Sequence, residues 1–232
     1  MSKLSSKLGF WASVLIAFAF IVYTISLSAI LLFFRIPHWT SLPEFVASTS
    51  GTWFPLYSAC QFLAFLTPPL FVLLINSIHD KATFEEKTLT RASLCFAVIF
   101  ATLSSINYFV QFSTVRLGML HGRPEGLEPF IQLNPDAVIT AFNILGWTVF
   151  FGLSSLFIVP LFSSGKLEKV IKFSFLVNGI ICFLGAIGYV FEINILNTLF
   201  FYGMGAAVIV ISISSSIWFK KLNKLADLSL VK

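Results

Sequence analysis

The apolar run at residues 92–115 ends in the sequence SSINYFVQFSTVR (residues 104–116), and this stretch indicates the class of fold. Asn107 and Gln111 are four residues apart, and Ser104 lies three residues before Asn107, so on a helix the three side chains share one face. A polar face inside a helix of membrane-spanning length is costly in hydrocarbon unless polar partners meet it. The stretch therefore predicts a transmembrane helix whose polar face is turned towards other parts of the protein.

The rest of the 232-residue chain has the same apolar character. Its mean hydropathy is +0.92, and only 11% of its residues are charged, whereas soluble domains carry about 25% charged residues. Its 28 Phe residues exceed what one soluble core of this size usually buries, but lipid-facing helices accommodate them. The composition excludes a soluble globular domain and predicts an all-α polytopic membrane protein.

Six apolar runs are long enough to cross a hydrocarbon layer of about 30 Å at about 1.5 Å per residue. They lie at residues 9–34, 56–78, 92–115, 137–162, 170–191 and 195–219. The first run is longer than the core of a signal peptide, which has about 7–15 residues, so we expect it to be retained as the first span. Residues 1–232 are therefore predicted to form a single bundle of six transmembrane helices.

The distribution of Lys and Arg predicts the orientation of this bundle. Twelve of the 15 basic residues fall at the end that holds both termini, and the other end has only Arg35, Arg116 and Arg123. Because basic residues mark cytoplasmic loops, both termini are predicted to be cytoplasmic. The net charge of +5 is then a topology signal, and no nucleic-acid partner is expected.

Asn, Gln and Tyr side chains concentrate in the half of the bundle that is predicted to be outer. We predict that they form an outer-leaflet pocket that binds a ligand, with these candidate residues: Gln61, Asn107, Tyr108, Gln111, Arg116, Asn143, Tyr189, Glu192 and Asn197. One alternative is that they form interhelical hydrogen bonds that only hold the helices together, worth about 0.6 kcal/mol each on average. A subunit interface is a further alternative.

The two long outer loops carry structural signals of their own. In the first, Pro43 and Glu44 suit the first turn of a short helix that would lie on the membrane surface. In the second, Leu127–Leu133 is expected to dip towards the membrane interface. Asn134-Pro135-Asp136 then has the cap, proline and acidic residue typical of a helix start.

Prolines and glycines mark special positions inside the spans. Thr67-Pro68-Pro69 predicts a kink near the middle of the second span, and the alternative is a helix broken at a binding site. Glycines in the fifth and sixth spans predict close helix packing, namely Gly179, Gly185, Gly188, Gly203 and Gly205.

Several kinds of chemistry lack a signature in this sequence. No Asp, Glu, Lys or Arg lies near the middle of a predicted span, which argues against a proton-coupled carrier. There is no Walker, HExxH or GxSxG motif. His38 and His121 with Glu44 or Glu192 could form a metal site, but the spacing does not require one, so no metal and no cofactor is predicted.

Part of the chain resembles a group of prokaryotic multi-pass membrane proteins that have no assigned function. The resemblance rests on the residues INYFVQ (106–111), Val115-Arg116, Glu125-Gly126-Leu127 and Asn134-Pro135, and covers residues 90–165. It implies no activity and no site residues. It does imply a bacterial or archaeal cytoplasmic membrane as the location.

The leading functional hypothesis is that the protein binds or transports a small amphiphile or lipid in the outer-leaflet pocket. Arg116 at its rim would suit a carboxylate or phosphate. One alternative is an intramembrane enzyme acting on a lipid-like substrate, with His121, Glu192 or Glu128 in acid–base roles. The other is a non-catalytic scaffold or partner subunit; a non-enzymatic role is favoured, and the expected partners are membrane lipids and a small amphiphilic ligand.

Overall fold

The computed structural model describes residues 3–33, 39–49, 53–163 and 165–229, with the side chains of residues 31 and 226–229 left out. Arg35, His38 and Lys232, which entered the sequence analysis, lie outside the described residues. Six helices are long and apolar enough to cross a membrane: Lys3–Ile30, Trp53–His79, Lys87–Leu120, Val138–Leu161, Lys166–Val190 and Asn194–Leu225. We call them the first to sixth spans. The predicted all-α class with six spanning helices is confirmed, and the described residues contain no strand.

The helices run beyond these spans or change their winding at several points. The first and sixth continue as Lys3–Phe33 and Asn194–Ser229. The third comprises Lys87–Val110, a π-helical turn at Gln111–Val115 and a last α-helical turn at Arg116–Leu120. The fourth comprises Val138–Leu145, a π-helical turn at Gly146–Phe150, Phe151–Ile158 and a 3-10 turn at Val159–Leu161. Two short helices, Leu42–Ser48 and Glu128–Phe130, lie outside the spans.

The six spans form a closed ring in chain order. Each span packs against the next one along the chain, and the sixth packs against the first. The ring therefore has two ends. We call the end with helix Leu42–Ser48 and residues 121–137 the long-loop end, and the end with Lys3 and Leu225 the terminal end. The cytoplasmic location of the terminal end stays a prediction from the basic residues.

A cluster of aromatic rings fills the middle of the ring. Phe20, Phe71, Phe100, Trp147 and Phe151 come from the first four spans and are all buried. The ring centroids of Phe71 and Phe151 are 4.7 Å apart, those of Phe100 and Trp147 are 4.7 Å apart, and those of Phe20 and Trp147 are 6.0 Å apart. Edge-to-face contacts of this kind add to ordinary packing. This aromatic cluster separates the long-loop half of the interior from the terminal half.

Glycines let the fifth span approach its neighbours, as predicted. A Cβ atom at Gly179 would lie 2.5 Å from Leu156 of the fourth span, and one at Gly185 would lie 2.5 Å from the ring of Phe200 of the sixth. Gly205 does not fit the prediction. A Cβ atom there would meet no heavy atom within 4 Å, because Gly205 borders a cavity instead of a neighbouring helix.

The second span is one continuous helix through Pro68 and Pro69. Proline removes the backbone donor that would bond the carbonyl four residues earlier, so the carbonyls of Ala64 and Phe65 lose their usual partners. The side chain of Thr67 donates to the Leu63 carbonyl at 3.2 Å. The alternative of a broken helix at this point is therefore wrong.

The short helix Leu42–Ser48 begins where Pro43 and Glu44 indicated. Its Phe45 is buried in an apolar cluster with residues of the first three spans and of the second loop, including Ile30, Trp53 and Ile131. The helix thus packs against the long-loop end of the protein itself through this side chain.

Candidate ligand cavity beneath the second loop

Gln132 of the second loop is the point at which three spans meet that loop. Its side-chain oxygen Oε1 accepts hydrogen bonds from Nε2 of Gln61 at 3.1 Å and from Nδ2 of Asn107 at 3.0 Å. Gln61 belongs to the second span and Asn107 to the third, and both are buried. Because Oε1 takes two N–H donors, the orientation of the Gln132 amide is determined by its partners.

The backbone of the same loop segment is bonded as well. Gln111 donates from Nε2 to the Phe130 carbonyl at 2.8 Å and accepts the Gln132 backbone N–H on Oε1 at 3.1 Å. The Thr140 hydroxyl, at the start of the fourth span, shares its one hydrogen between the Asn134 carbonyl at 2.8 Å and the Gln132 carbonyl at 3.0 Å. Buried backbone groups of an irregular segment need such partners. Residues 130–134 are therefore held inside the long-loop end of the ring.

The start of the fourth span differs from the sequence interpretation. Asn134 accepts the Asp136 backbone N–H on Oδ1 at 3.0 Å, which closes a turn, and the helix begins only at Val138. Asn134 also donates from Nδ2 to the Glu128 carbonyl at 2.9 Å. Asn134 stabilises the loop because its side chain forms hydrogen bonds with backbone groups that come before and after it in the loop.

A cavity of about 660 Å³ lies directly beneath this loop. Gln132 and Leu133 form its roof. Phe20 and Trp147 of the aromatic cluster are among its deepest lining residues and form its floor. Its walls come from the first, second, third, fourth and sixth spans, and carry the aromatic side chains of Tyr23, Tyr57, Tyr108, Phe200 and Phe201.

The lining of the cavity is mixed but uncharged. Phenol, hydroxyl and amide groups of Tyr, Thr, Ser, Asn and Gln alternate with apolar side chains such as Leu27, Ile144 and Met204. Among the described residues that line it there is no Asp, Glu, Lys, Arg or His. The described lining can therefore offer hydrogen bonds and apolar contact, and it supplies no ionic partner.

The cavity opens sideways between the first and sixth spans. Thr24 and Ser28 on the first span, and Thr198 and Tyr202 on the sixth, line the cavity and are also exposed, so the described part of the wall between these two spans is not closed. At the terminal end the same two helices are in close contact, since a Cβ atom at Gly9 would lie 2.3 Å from Phe219. The two helices thus pack tightly near the terminal end and leave an opening near the long-loop end, which we call the lateral opening.

Buried polar atoms beside the cavity lack partners. Oδ1 of Asn143 and Nε1 of Trp147 have no hydrogen-bond partner among the described residues, although both side chains line the cavity wall. Tyr108 lines the same wall and interacts with both residues. Buried polar atoms without partners are uncommon and need a physical explanation.

The structure distributes the predicted site residues over several places. Tyr108, Asn143 and Asn197 line the cavity. Gln61, Asn107 and Gln111 hold the second loop, as described above, and none of the three is among the lining residues. The polar face of the third span thus meets a loop, which neither the pocket nor the helix-to-helix interpretation had included.

The remaining predicted residues lie at the edges of the site. The Tyr189 hydroxyl donates to the Pro135 carbonyl at 2.9 Å and so joins the fifth span to the second loop. Glu192 has a positive φ of 56° in the exposed turn between the fifth and sixth spans. Arg116 is exposed and does not line the cavity, so it is not the rim cation that the sequence suggested.

The acid–base candidates of the enzyme hypothesis also lie away from the cavity. His121 is exposed, and its Nδ1 lies 3.3 Å from the Arg123 guanidinium. Neither His121, Glu128 nor Glu192 is a lining residue. In the part of the chain that the structure describes, no group of three or more His, Cys, Asp or Glu side chains could hold a metal ion.

Sequence reasoning missed most of the lining residues of the cavity, and Tyr23, Tyr57 and Gln132 are three of the polar ones. Tyr23 and Tyr57 lie near the long-loop ends of the first two spans, in the half of the bundle where Asn, Gln and Tyr side chains concentrate, but tyrosines there also suit a membrane interface. Gln132 falls in the Leu127–Leu133 segment that was expected to dip towards the membrane. Its signal was a glutamine within a predominantly apolar loop segment.

Comparison of the chain with protein-family models, with curated proteins and with solved structures finds no match. The function of the protein is therefore inferred from the geometry of the cavity.

Proposed function

We propose that this protein binds a small amphiphile or lipid in the cavity beneath the second loop. In the orientation predicted from the basic residues, the cavity lies in the outer half of the membrane. The resemblance of residues 90–165 to prokaryotic membrane proteins supports a location in the cytoplasmic membrane of a prokaryote. The observation that carries the proposal is a cavity of about 660 Å³ that combines apolar and hydrogen-bonding walls and has exposed lining residues on the first and sixth spans.

The size and lining of the cavity support a small-molecule ligand. Ligand pockets typically have volumes of about 300–1,000 Å³, with mainly apolar walls and a few polar groups that orient the ligand. Here the polar groups include Tyr57, Tyr108 and Asn143, while Phe20 and Met204 provide apolar surface. An amphiphile matches such a mixed lining because its head group and its chain have different requirements.

The lateral opening indicates the route by which a ligand enters the cavity. Lipids and amphiphiles concentrate in the membrane, and an opening between two spans gives them access without passage through water. The aromatic cluster closes the floor of the cavity, with Phe100 and Phe151 fully buried beneath it. This geometry favours binding and release on the long-loop side over passage across the whole membrane.

The most direct test of this proposal is a single substitution that reduces the volume of the cavity. Gly205 lines the cavity, and a Cβ atom there would have open space on all sides. Leu at this position should occupy cavity volume without displacing a neighbour. The neighbouring Ala206 is exposed and does not line the cavity, so Ala206→Leu is a matched control that adds a similar side chain at an exposed position on the same helix.

Native mass spectrometry with lipid analysis of gently purified protein gives the readout. We expect a specific bound mass on the wild type and on Ala206→Leu, and its loss from Gly205→Leu. Retention of the same bound mass by a folded Gly205→Leu variant would contradict the proposal. A protein that copurifies with the wild type and with both variants in place of a small ligand would favour the scaffold hypothesis.

A further inference from the structure

The volume of the cavity limits the size of its ligand. A water molecule occupies about 30 Å³ in the liquid, and a methylene group is of similar size. At that value, 660 Å³ holds roughly 20 non-hydrogen atoms. This is the size of one lipid chain with a small head group, and a phospholipid with two chains would have to leave most of its atoms outside the cavity.

The charge of the lining limits the head group. A carboxylate, phosphate or ammonium group taken out of water needs an ionic partner or a set of aligned hydrogen bonds, and without them its burial is strongly unfavourable. The described lining residues carry no charged side chain, and Arg116 is exposed to one side of the site. The described part of the lining therefore suits an uncharged head group.

The polar groups of the cavity suit a hydroxyl. Because Oε1 of Gln132 is taken by Gln61 and Asn107, Nε2 of Gln132 is the part of this amide left to donate, and it makes no hydrogen bond within the described residues. The phenols of Tyr23, Tyr57 and Tyr108 can both donate and accept. A ligand hydroxyl also does both, so it can accept from one neighbour and donate to another in the same position.

We propose that the ligand is a single-chain lipid with an uncharged, hydroxyl-bearing head group, of the class of long-chain or isoprenoid alcohols and monoacylglycerols. This inference rests on the function proposed above and specifies its ligand class. The hydroxyl lies beneath Gln132, among the tyrosines and Asn143. The chain extends along Phe20 and Met204 and leaves through the lateral opening if it is longer than the cavity.

The test compares three probes that share one chain and differ in head-group charge. Oleyl alcohol is neutral, oleate is anionic and oleylamine is cationic at a pH where the acid is ionised and the amine protonated. Binding to the full-length protein in detergent is measured by native mass spectrometry at several probe concentrations. We expect oleyl alcohol to bind at least about tenfold more tightly than either charged probe.

Two kinds of variant separate the head-group contribution from occupancy of the cavity. Tyr108→Phe and Asn143→Leu remove polar groups from the wall, and each should weaken binding of oleyl alcohol by up to about tenfold. Tyr108→Phe changes the shape of the side chain very little, so it keeps the test valid if Asn143→Leu fails to fold. Gly205→Leu should abolish binding of every probe, and Ala206→Leu should leave it unchanged.

The outcomes distinguish failure of this inference from failure of the proposed function. If oleate or oleylamine binds as tightly as oleyl alcohol, and Gly205→Leu abolishes that binding, the cavity binds amphiphiles but the head-group inference is wrong. The inference is also wrong if Tyr108→Phe and Asn143→Leu both bind oleyl alcohol as the wild type does. If Gly205→Leu alters the binding of none of the probes, the cavity is not the binding site and the proposed function itself is wrong.

Discussion

Nδ2 of Asn107 donates a hydrogen bond of 3.0 Å to Oε1 of Gln132, and so joins the middle of a membrane-spanning helix to a loop residue 25 positions later. Gln61 donates to the same oxygen at 3.1 Å. Two amides from different spans are thus paired by one loop side chain. The sequence suggested the polar face of the third span as part of a ligand site. In the structure this face instead holds the loop that forms the roof of the cavity.

Replacement of Gln132 by Leu should destabilise the protein and loosen the second loop. The substitution leaves Nδ2 of Asn107 and Nε2 of Gln61 buried without an acceptor, and an unsatisfied buried donor costs about 1–3 kcal/mol. We expect a decrease of that size in the free energy of unfolding, measured by denaturation with SDS. Hydrogen–deuterium exchange at residues 121–137 should become faster because the loop opens more often.

Glu125→Gln is the matched control for this variant, because Glu125 is exposed in the same loop. It should change neither the free energy of unfolding nor the exchange rate. A double-mutant cycle between Asn107→Leu and Gln132→Leu should give a coupling energy of about 0.6 kcal/mol, and at most about 1.7 kcal/mol. Equal exchange rates in Gln132→Leu and Glu125→Gln would show that these hydrogen bonds do not hold the loop.

Hydropathy and spacing were sufficient to predict the six spans and the shared face of Asn107 and Gln111, because both follow from the length and the turn of a helix. The partners of that face could not be predicted in the same way. They are Gln132 and the Phe130 carbonyl, atoms of an irregular loop whose path depends on tertiary contacts. The prediction that residues 127–133 approach the membrane came closest to this result.

The depth of a side chain along its helix did not predict whether that side chain lines the cavity. It placed Arg116 and Glu192 at the mouth of the pocket and Asn143 deeper inside it, but only Asn143 lines the cavity. A shift of one residue turns a side chain by about 100° around the helix, and the π-helical turn Gln111–Val115 changes the phase of the residues that follow it. The pattern of a single sequence does not reveal π-helical turns. The side of the helix on which Arg116 lies could therefore not be predicted.

Thr140→Val should destabilise the protein through the same loop. The Thr140 hydroxyl donates to the carbonyls of residues 132 and 134, and valine has the same shape without the donor. We expect a loss of about 0.5–1.5 kcal/mol in the free energy of unfolding. Thr102→Val is the control, because Thr102 is exposed and donates only to the Val98 carbonyl of its own helix. Similar losses in the two variants would contradict the role assigned to Thr140.

Gly185→Ala and Gly205→Ala should have opposite effects although the substitution is identical. In a helix interior Ala is favoured over Gly by about 1 kcal/mol. At Gly185 a Cβ atom would lie 2.5 Å from the buried ring of Phe200, so the fifth and sixth spans must separate. At Gly205 the same atom meets nothing within 4 Å. We expect Gly185→Ala to unfold at a lower SDS concentration than the wild type, and Gly205→Ala to unfold at an equal or higher one. If only Gly205→Ala unfolds at a lower concentration, the packing assigned to these two glycines is wrong.

The orientation predicted from the basic residues can be measured with single cysteines. Cys60, Cys95 and Cys182 are first replaced by Ala, and Phe84→Cys and Glu125→Cys are introduced separately at exposed positions near the two opposite ends of the ring. If the terminal end is cytoplasmic, a membrane-impermeant maleimide should label position 125 in intact cells and position 84 only after permeabilisation. The reverse pattern would place the cavity and its lateral opening in the inner half of the membrane, and ligands of that leaflet would then be the ones to test.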